Sequence, residues 1–177
     1  MIKGSIVTLR TVRETDLDNL FGLWSDIRNR GEYFPHDIQS ETSFKKDFHE
    51  TGFWTDGYRQ LLICNKEEKV VGAVFVFKVQ SYFNGVEIGY ILFDEASRNK
   101  GYVTEAVFLF VKHLFSSTTI NRIQLVVDPL NLASKRVAEK CGFKFEGIAR
   151  GAFFHKGKNH NVEVYSILHD EVVLSGE

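Results

Sequence analysis

Residues 92–106 read LFDEASRNKGYVTEA and join a predicted strand to a predicted helix. Before this segment, residues 86–93 alternate in apolar character, which is typical of a strand. From Gly101 onward, apolar side chains recur at steps of three and four, so the predicted helix turns one apolar stripe toward a core. That stripe consists of Val103, Ala106, Val107, Phe110, Val111 and Leu114. A strand, a short polar loop and a half-buried helix therefore form the centre of the predicted fold.

The polar loop has the features of an anion-binding site. Arg98 and Lys100 come just before the first backbone amides of the helix, which are unpaired and lie at the positive end of the helix dipole. Gly101 has no side chain to obstruct a ligand that approaches the backbone. The loop therefore predicts a phosphate-bearing ligand, with a solvated loop that only caps the helix as the alternative. Neither G-x-x-x-x-G-K-[S/T] nor a G-x-G-x-x-G after a strand occurs in the sequence.

Composition and charge describe one soluble globular domain over residues 1–177, since 44% of the residues are hydrophobic and 25% are charged. The net charge of −1 argues against a nucleic-acid partner, whose phosphates require a basic excess. Cys64 and Cys141 form neither a disulfide framework nor a metal pattern, which predicts a cytoplasmic protein. The longest apolar run, residues 70–77, is too short to span a membrane, and the first residues show no signal-peptide pattern. The six histidines lack ligand spacing, so we expect no metal.

Strands and helices alternate along the chain without a linker or a repeat. Predicted strands cover residues 6–9, 58–64, 69–80, 86–93, 122–127, 143–155 and 160–168. The first predicted helix has a capping signature at Thr11 or Thr15, the second starts at Ser40 or Thr42, and the fourth covers residues 131–140. This order predicts an α/β domain of the mixed α+β kind, with a central mixed sheet of about seven strands and helices on both faces.

Four segments, in this order, resemble motifs of the GNAT-superfamily N-acetyltransferases. They read VTLR at 7–10, EIGY at 87–90, GYVTEA at 101–106, and NLAS at 131–134 leading to KCGF at 140–143. Residues 98–103 also resemble the Arg/Gln-x-x-Gly-x-Gly/Ala pyrophosphate loop of that family, with Val103 in place of a small residue. The most similar branch is the RimJ/RimL type, which acetylates the N-termini of ribosomal proteins. The resemblance implies a GNAT fold with a mostly antiparallel sheet over nearly the whole chain, and a transferase that uses acetyl-CoA.

The resemblance also implies which residues hold acetyl-CoA as co-substrate. Backbone amides at the end of the central strand bond the pantetheine and polarise the thioester carbonyl, the loop holds the pyrophosphate, and the fourth helix contributes two side chains. These residues are Ile91, Leu92, Phe93, Arg98, Asn99, Lys100, Gly101, Tyr102, Val103, Thr104, Asn131 and Ser134. Asn131 and Ser134 lie one turn apart on one side of their helix. Their alternative roles are an N-cap and a first-turn filler.

N-acetyl transfer requires that an amine lose a proton and that a departing thiolate gain a proton or a hydrogen bond. Glu87 is the candidate base, and in an alternating strand it shares a face with Gly89 and Ile91. A solvated or salt-bridged strand residue is its alternative role, and a water can replace it as the base. The resemblance implies Ser134 as the donor near the sulfur. Tyr165 is the alternative donor, or else a core ring.

The acceptor implied by the resemblance is a primary amine, in the first place a protein or peptide N-terminus. A small-molecule amine or antibiotic is the competing acceptor, and a catalytically silent acyl-CoA-binding module is the competing class of protein. The acceptor pocket is expected between the first helices and the last hairpin, with His155 or His160 as candidates for lining its entrance. A homodimer is left open.

Overall fold

The computed structural model describes residues 1–79 and 84–172, and within them the chain forms one eight-stranded sheet and four α-helices. The strands are β1 (Ile2–Lys3), β2 (Thr8–Arg10), β3 (Tyr58–Cys64), β4 (Val70–Lys78), β5 (Gly85–Leu92), β6 (Arg122–Val127), β7 (Lys144–His155) and β8 (Lys158–Leu168). The helices are α1 (Leu17–Ser25), α2 (Glu41–Thr51), α3 (Tyr102–Ser117) and α4 (Leu132–Lys140). None of these helices in the described ranges is long and apolar enough to cross a membrane.

The strands lie in the order β1-β2-β3-β4-β5-β6-β8-β7. In the described part of the chain, β5 and β6 form the one parallel pair, and all other neighbours are antiparallel. The predicted mixed sheet with helices on both faces is therefore confirmed. The additional strand is β1, whose two residues pair with β2 and are too few to show an alternating pattern.

Several predicted boundaries shift, each for a local reason. β2 begins at Thr8 rather than at residue 6, because the amides of residues 5–7 bond to the Glu105 carboxylate. β8 begins at Lys158 rather than at residue 160, because Lys156 and Gly157 both have positive φ and form a two-residue hairpin turn. The predicted end of the third strand at Gln80 and the start of the loop after it lie outside the described residues.

The two predicted caps of the first helices have different outcomes. Neither Thr11 nor Thr15 caps the first helix. The Asp16 carboxylate accepts the amide of Arg13 at 2.7 Å and so caps the short 3-10 turn, Glu14–Asp16, that precedes α1. The same carboxylate also pairs with Arg10 at 2.6 Å. For α2, Ser40 Oγ accepts the amide of Ser43 at 3.2 Å, as predicted for one of the two possible starts.

Each face of the sheet has its own core. On one face, α3 and α4 cover a cluster that includes Ile88, Phe110 and Leu125, and Tyr90 packs against it. On the other face, α1 and α2 cover an aromatic cluster that includes Phe75. Burial of each large apolar side chain contributes about 1.5–3 kcal/mol. These two cores determine which side of the sheet each residue of β5 faces.

Glu105 anchors the start of α3 to the N-terminal segment. Its carboxylate accepts the amides of Ser5, Ile6 and Val7 at 2.7, 2.8 and 2.7 Å. Burial alone would raise the pKa of Glu105, but the three amide hydrogen bonds outweigh it and hold the pKa below its ordinary value. A charged glutamate one turn into α3 therefore fixes the N-terminal segment against the start of this helix.

Candidate active site

The sheet opens between β5 and β6. The two strands pair over three positions, Gly85 with Arg122, Val86 with Ile123 and Glu87 with Gln124. Beyond that point β5 continues along β4 as far as Leu92, while β6 continues along β8. The second halves of β5 and β6 therefore part, and they leave an opening with backbone groups on its β5 side.

Hydrogen bonding along β5 decides which amides reach the opening. The Phe93 amide donates to the Val71 carbonyl at 3.0 Å, on the β4 side. Because hydrogen-bonding direction alternates along an antiparallel strand, the Ile91 amide also faces β4, whereas those of Tyr90 and Leu92 face the opening. This corrects the predicted set of backbone donors at the strand end. Phe93 already uses its amide within the sheet, whereas the amide of Leu92 faces the opening.

The polar loop ends at the uncapped start of α3. Gly101 has φ 80° and is the N-cap, with no side-chain hydrogen bond to cap the helix. The first intrahelical bond runs from the Glu105 amide to the Gly101 carbonyl at 3.0 Å. The amides of residues 102–104 therefore have no acceptor within the helix. They point out of the helix as three neighbouring donors at its positive end.

Two cations flank these donors. Arg98 forms an ion pair with Glu95 at 2.9 Å and leaves about half of its side chain exposed, 49%. Lys100 is exposed beside it, and Asn99 adopts φ 61°, a left-handed conformation that turns the chain between the two cations. An anion with several oxygen atoms fits such a set of amides and cations. The structure thus brings together Arg98, Asn99, Lys100, Gly101, Tyr102, Val103 and Thr104, the predicted pyrophosphate loop.

On α4, Asn131 and Ser134 adopt the geometry of a cap. Asn131 Oδ1 accepts a hydrogen bond from the Ser134 amide at 3.1 Å, so Asn131 is the N-cap of α4. This bond uses the side-chain oxygen of Asn131 and not its side-chain nitrogen. The Ser134 carbonyl accepts a hydrogen bond from the Tyr90 hydroxyl on β5, with the oxygens 3.4 Å apart. This contact joins α4 to β5 and brings Ser134 next to Tyr90.

Tyr90 was not among the predicted site residues. Burial raises the pKa of its hydroxyl to about 12, although the contact with Ser134 lowers it. The group therefore keeps its proton at neutral pH and uses it in the hydrogen bond to the Ser134 carbonyl. The alternation of β5 already indicated that Tyr90 faces away from Glu87. Its proximity to α4 depends on packing between distant segments, which one sequence does not reveal.

Glu87 lies where β5 and β6 begin to separate. Ile88 belongs to the core under α3, and Ile91 belongs to the core under α1 and α2. The strand therefore has the predicted register, with Glu87 on the α1 and α2 face. Glu87 Oε2 accepts a hydrogen bond from Gln124 Nε2 at 2.8 Å. No lysine or arginine lies within ion-pair distance of Glu87 in the described residues, so a neutral amide holds the carboxylate.

Tyr165 lies in the core under α3 and α4. Its exposed fraction is 6%, and its ring contacts Phe145 with centroids 5.5 Å apart. The hydroxyl donates to Glu163 at 2.9 Å, and Glu163 in turn pairs with Lys135 at 2.7 Å. Burial first, and then the hydrogen bond to Glu163, raises the pKa of Tyr165 to about 12. These contacts favour the core-ring role of Tyr165 over the donor role.

The α1–α2 connection and the last hairpin meet on the Glu87 face of the sheet. His155 Nε2 donates to the Glu32 carbonyl at 2.9 Å, and the rings of His36 and His155 lie 4.9 Å apart. The Tyr33 hydroxyl donates to the carbonyl of Leu130, just before α4, at 3.2 Å. The described residues contain no group of three or more His, Cys, Asp or Glu side chains that could hold a metal ion.

An open sheet, free amides at a helix start and a carboxylate beside the opening are the elements of an acetyl-transfer site. A family profile described as acetyltransferase (GNAT) domain matches residues 7–144. The chain belongs to the GNAT family, and it is an acetyl-CoA-dependent N-acetyltransferase with the GNAT fold. The family and the fold predicted from the four segments are confirmed.

Similar proteins carry related names. The probable N-acetyltransferase YjcK of Bacillus subtilis (strain 168) is 30% identical over 183 residues, which span 99% of this chain and 96% of the relative. The ribosomal-protein-serine acetyltransferase of Escherichia coli (strain K12) is 25% identical over 138 residues, 77% of this chain and 76% of the relative. The spermidine N-acetyltransferase of Vibrio cholerae, solved in complex with CoA and spermine, superposes with a TM-score of 0.81 at 19% identity, over 93% of this chain and 96% of that one.

Proposed function

We propose that the acceptor is the N-terminal amine of a protein or peptide. The half-buried Glu87 carboxylate, which faces α1 and α2 at the edge of the opening and is held by Gln124 at 2.8 Å, supports an amine acceptor of either kind. The observation that favours a protein acceptor is the similarity to a relative that is named for a ribosomal protein. A carboxylate in that position attracts a cationic amine and accepts its proton. The E. coli relative named a ribosomal-protein-serine acetyltransferase supports a protein acceptor.

Binding of acetyl-CoA is assigned to the backbone donors at the opening and at the start of α3. The amides of residues 102–104, together with Arg98 and Lys100, neutralise and hold the pyrophosphate. The Leu92 amide donates toward the pantetheine and the thioester carbonyl, where it stabilises the developing negative charge on oxygen. Acetyl-CoA supplies the activated acetyl group, and the chain supplies orientation and proton transfer.

Each proton has an assigned place in this reaction. Glu87, directly or through a water, takes the proton that the amine loses as the new nitrogen–carbon bond forms. As the carbon–sulfur bond breaks, a hydroxyl of Ser134 or Tyr90 gives the sulfur a hydrogen bond or a proton. Tyr165 is left out of this scheme because the Glu163 carboxylate, a charged acceptor, holds its hydroxyl at 2.9 Å, whereas the Tyr90 hydroxyl makes a longer contact of 3.4 Å with a neutral carbonyl.

A small polyamine or another small amine is the second candidate acceptor. The V. cholerae neighbour whose structure holds CoA and spermine motivates it. An acidic residue beside the opening suits either kind of amine, so the acceptor class needs a direct experiment. A catalytically silent acyl-CoA-binding module is the third possibility.

The experiment is a competition among acceptors with acetyl-CoA in excess, read as the mass increase of one acetyl group. The panel contains peptides with free N-termini, the same peptides with blocked N-termini and an internal lysine, and spermidine. We expect free N-termini to be acetylated and their blocked counterparts to stay unmodified. Preferential acetylation of spermidine would replace the proposed acceptor by the second candidate, and no product with any amine would indicate the silent module.

A further inference from the structure

Polar side chains lie in a row across the sheet, on the face that Glu87 shares with α1 and α2. Glu87 on β5 lies opposite Gln124 on β6, and Gln124 lies opposite Ser166 on β8. Residues opposite each other in neighbouring strands project from the same face of a sheet. Arg122 is two residues before Gln124 on β6, so its side chain projects from that face as well. The sheet therefore brings these four side chains next to one another.

The edge strand β7 adds a carboxylate to this row through a β-bulge. Gly147 rather than Glu146 lies opposite Val164, so Glu146 is the additional residue of the bulge. Bulges change the direction of side chains and are frequent next to active sites. The Glu146 carboxylate accepts hydrogen bonds from Ser166 Oγ at 2.7 Å and from two nitrogens of Arg122 at 2.5 Å each. The bulge thus gives the Arg122 guanidinium a charged partner on β7.

The Gln124 amide connects Arg122 to Glu87. Its Oε1 accepts a long hydrogen bond of 3.5 Å from Arg122 Nη2, and its Nε2 donates to Glu87 Oε2 at 2.8 Å. A flipped amide would point its NH2 group at the guanidinium, which has donors only, and its oxygen at the carboxylate, which has acceptors only when it is ionised. Both ends of the amide therefore favour the orientation that bonds Glu87.

Glu146 keeps the guanidinium in place at the far end of the Gln124 amide. A two-point contact between a guanidinium and a carboxylate fixes the geometry of both groups. The hydrogen bonds from Arg122, and then the one from Ser166, outweigh burial and hold the pKa of Glu146 below its ordinary value. Glu146 is therefore charged at neutral pH. The position of Gln124 thus depends on a carboxylate that lies two strands away from it, at the edge of the sheet.

We propose that Gln124 is a positioning residue for Glu87, and that Glu146 acts on Gln124 through Arg122. A general base must lie within hydrogen-bond reach of the proton that it takes. With Oε2 held by Gln124, the Oε1 atom of Glu87 is presented to the amine in a fixed direction. Without this donor the carboxylate is less ordered, so fewer encounters with the amine are productive. This inference rests on the proposed function, in which Glu87 is the base.

The test compares kcat for one peptide acceptor in the full chain, with Glu87 intact and with Glu87→Gln. Gln124→Leu keeps the approximate volume of the side chain but removes the donor. With Glu87 intact, we expect this substitution to lower kcat at least about tenfold and to leave the KM for acetyl-CoA unchanged. In the Glu87→Gln protein it should change kcat by less than about twofold, because the effects of residues that act through one another are not additive. A merely structural defect would lower kcat in both proteins.

Glu146→Gln tests the far end of the row. This substitution removes the charge that holds Arg122, so we expect kcat to fall about threefold with Glu87 intact and to stay unchanged in the Glu87→Gln protein. Asp16→Asn is the matched control. Asp16 makes the same kind of two-point contact with Arg10 on β2, three strands from β5, and its loss should leave kcat unchanged in a folded protein.

A second measurement follows the side-chain amide signal of Gln124 in nitrogen-15 NMR spectra. We expect this signal to move in Glu87→Gln and in Glu146→Gln, since each variant alters one end of the contacts of the amide, and to stay in place in Asp16→Asn. A signal that is unmoved in both variants would overturn the proposal even if Gln124→Leu does not fold.

The outcomes separate the positioning role from the proposed function. Equal losses of kcat on Gln124→Leu in both proteins would overturn the positioning role alone. The same conclusion would follow if Glu87→Gln slowed turnover and Gln124→Leu did not. Full turnover in Glu87→Gln would instead overturn the base itself, and the positioning role with it.

Discussion

Glu87 and Gln124 form the pair on which the proposed chemistry depends. The hydrogen bond of 2.8 Å from Gln124 Nε2 restrains one carboxylate oxygen and leaves the other for the acceptor. Gln124 itself lies 3.5 Å from Arg122, whose guanidinium forms a two-point contact with Glu146. A row of polar side chains across β5, β6 and β7 thus orients the carboxylate, with no cation in contact with Glu87 to compete with the amine among the residues that the structure describes.

Glu87→Gln is therefore expected to preserve the fold and the affinity for CoA but to lower turnover by about a hundredfold, at the low end for a lost general base. The loss should be greatest at low pH, where most of the amine is protonated and needs a proton acceptor. The measurement is a pH–rate profile of both proteins with one peptide acceptor. A profile unchanged in shape and height would remove Glu87 from the mechanism.

Ser134 and Tyr90 are adjacent candidates for the donor at sulfur. We expect Ser134→Ala to lower kcat by about a hundredfold with CoA binding nearly intact. If kcat stays unchanged, the donor role passes to Tyr90, and Tyr90→Phe should then show the loss. Tyr165→Phe is the matched control, since it removes a hydroxyl that bonds Glu163 rather than a group at the opening. A large loss of kcat in Tyr165→Phe alone would contradict this assignment.

Among the secondary-structure elements, α3 has the clearest connection to binding. Its first three amides have no acceptor within the helix, and Gly101, at φ 80°, starts the helix without a side-chain cap. A Cβ at this position would lie 3.4 Å from Ile6 Cδ1, and a larger side chain would also cover the amides that face the ligand. Residue 101, at the start of α3, therefore needs to be glycine, both for its left-handed conformation and for access of a ligand to the amides.

Gly101→Tyr is expected to weaken CoA binding by tenfold or more, about 1.4 kcal/mol, as measured by calorimetry. Gly52→Tyr serves as the control for backbone strain. Gly52 also has a left-handed φ, 64°, but it ends α2 in open space. Unchanged CoA affinity in a folded Gly101→Tyr protein would show that the loop assignment is wrong.

Glu105 should contribute to stability through its charge. Loss of charged hydrogen bonds to three amides is expected to cost Glu105→Gln about 2 kcal/mol in the free energy of unfolding at neutral pH. Because the folded-state pKa of Glu105 is lowered, this contribution is complete above the unfolded pKa of about 4.3 and disappears as pH falls through the folded pKa. Urea denaturation at several pH values measures it. Glu50→Gln, whose side chain is 60% exposed, should show no such pH-dependent difference.

Local pattern was sufficient to predict most elements, whereas most contacts of the site depend on chain segments far apart. Strands such as β3 and β6 show strong β patterns, and the structure gives them the predicted limits. By contrast, the bond between Glu87 and Gln124 joins residues 37 apart, and it follows only from the parallel register of β5 and β6. The contact between Arg122 and Glu146 likewise joins residues 24 apart, so no single segment indicates it.

At the scale of the whole molecule, we propose that acetyl-CoA occupies the opening between β5 and β6 with its pyrophosphate at the start of α3. With acetyl-CoA in this position, α3 and α4 cover one face of the sheet, and the acceptor approaches from the other face, where Glu87 lies. The end of β5 and the start of α3 are separated by the polar loop, so binding should protect two segments at once. A ligand bound elsewhere would protect a different set.

Hydrogen–deuterium exchange with and without saturating acetyl-CoA would locate the bound co-substrate along the chain. We expect slower exchange in two segments, residues 88–93 and residues 98–106, with α2 unchanged. Slower exchange confined to α2 and β3, or no change at residues 98–106 when acetyl-CoA is bound, would contradict it.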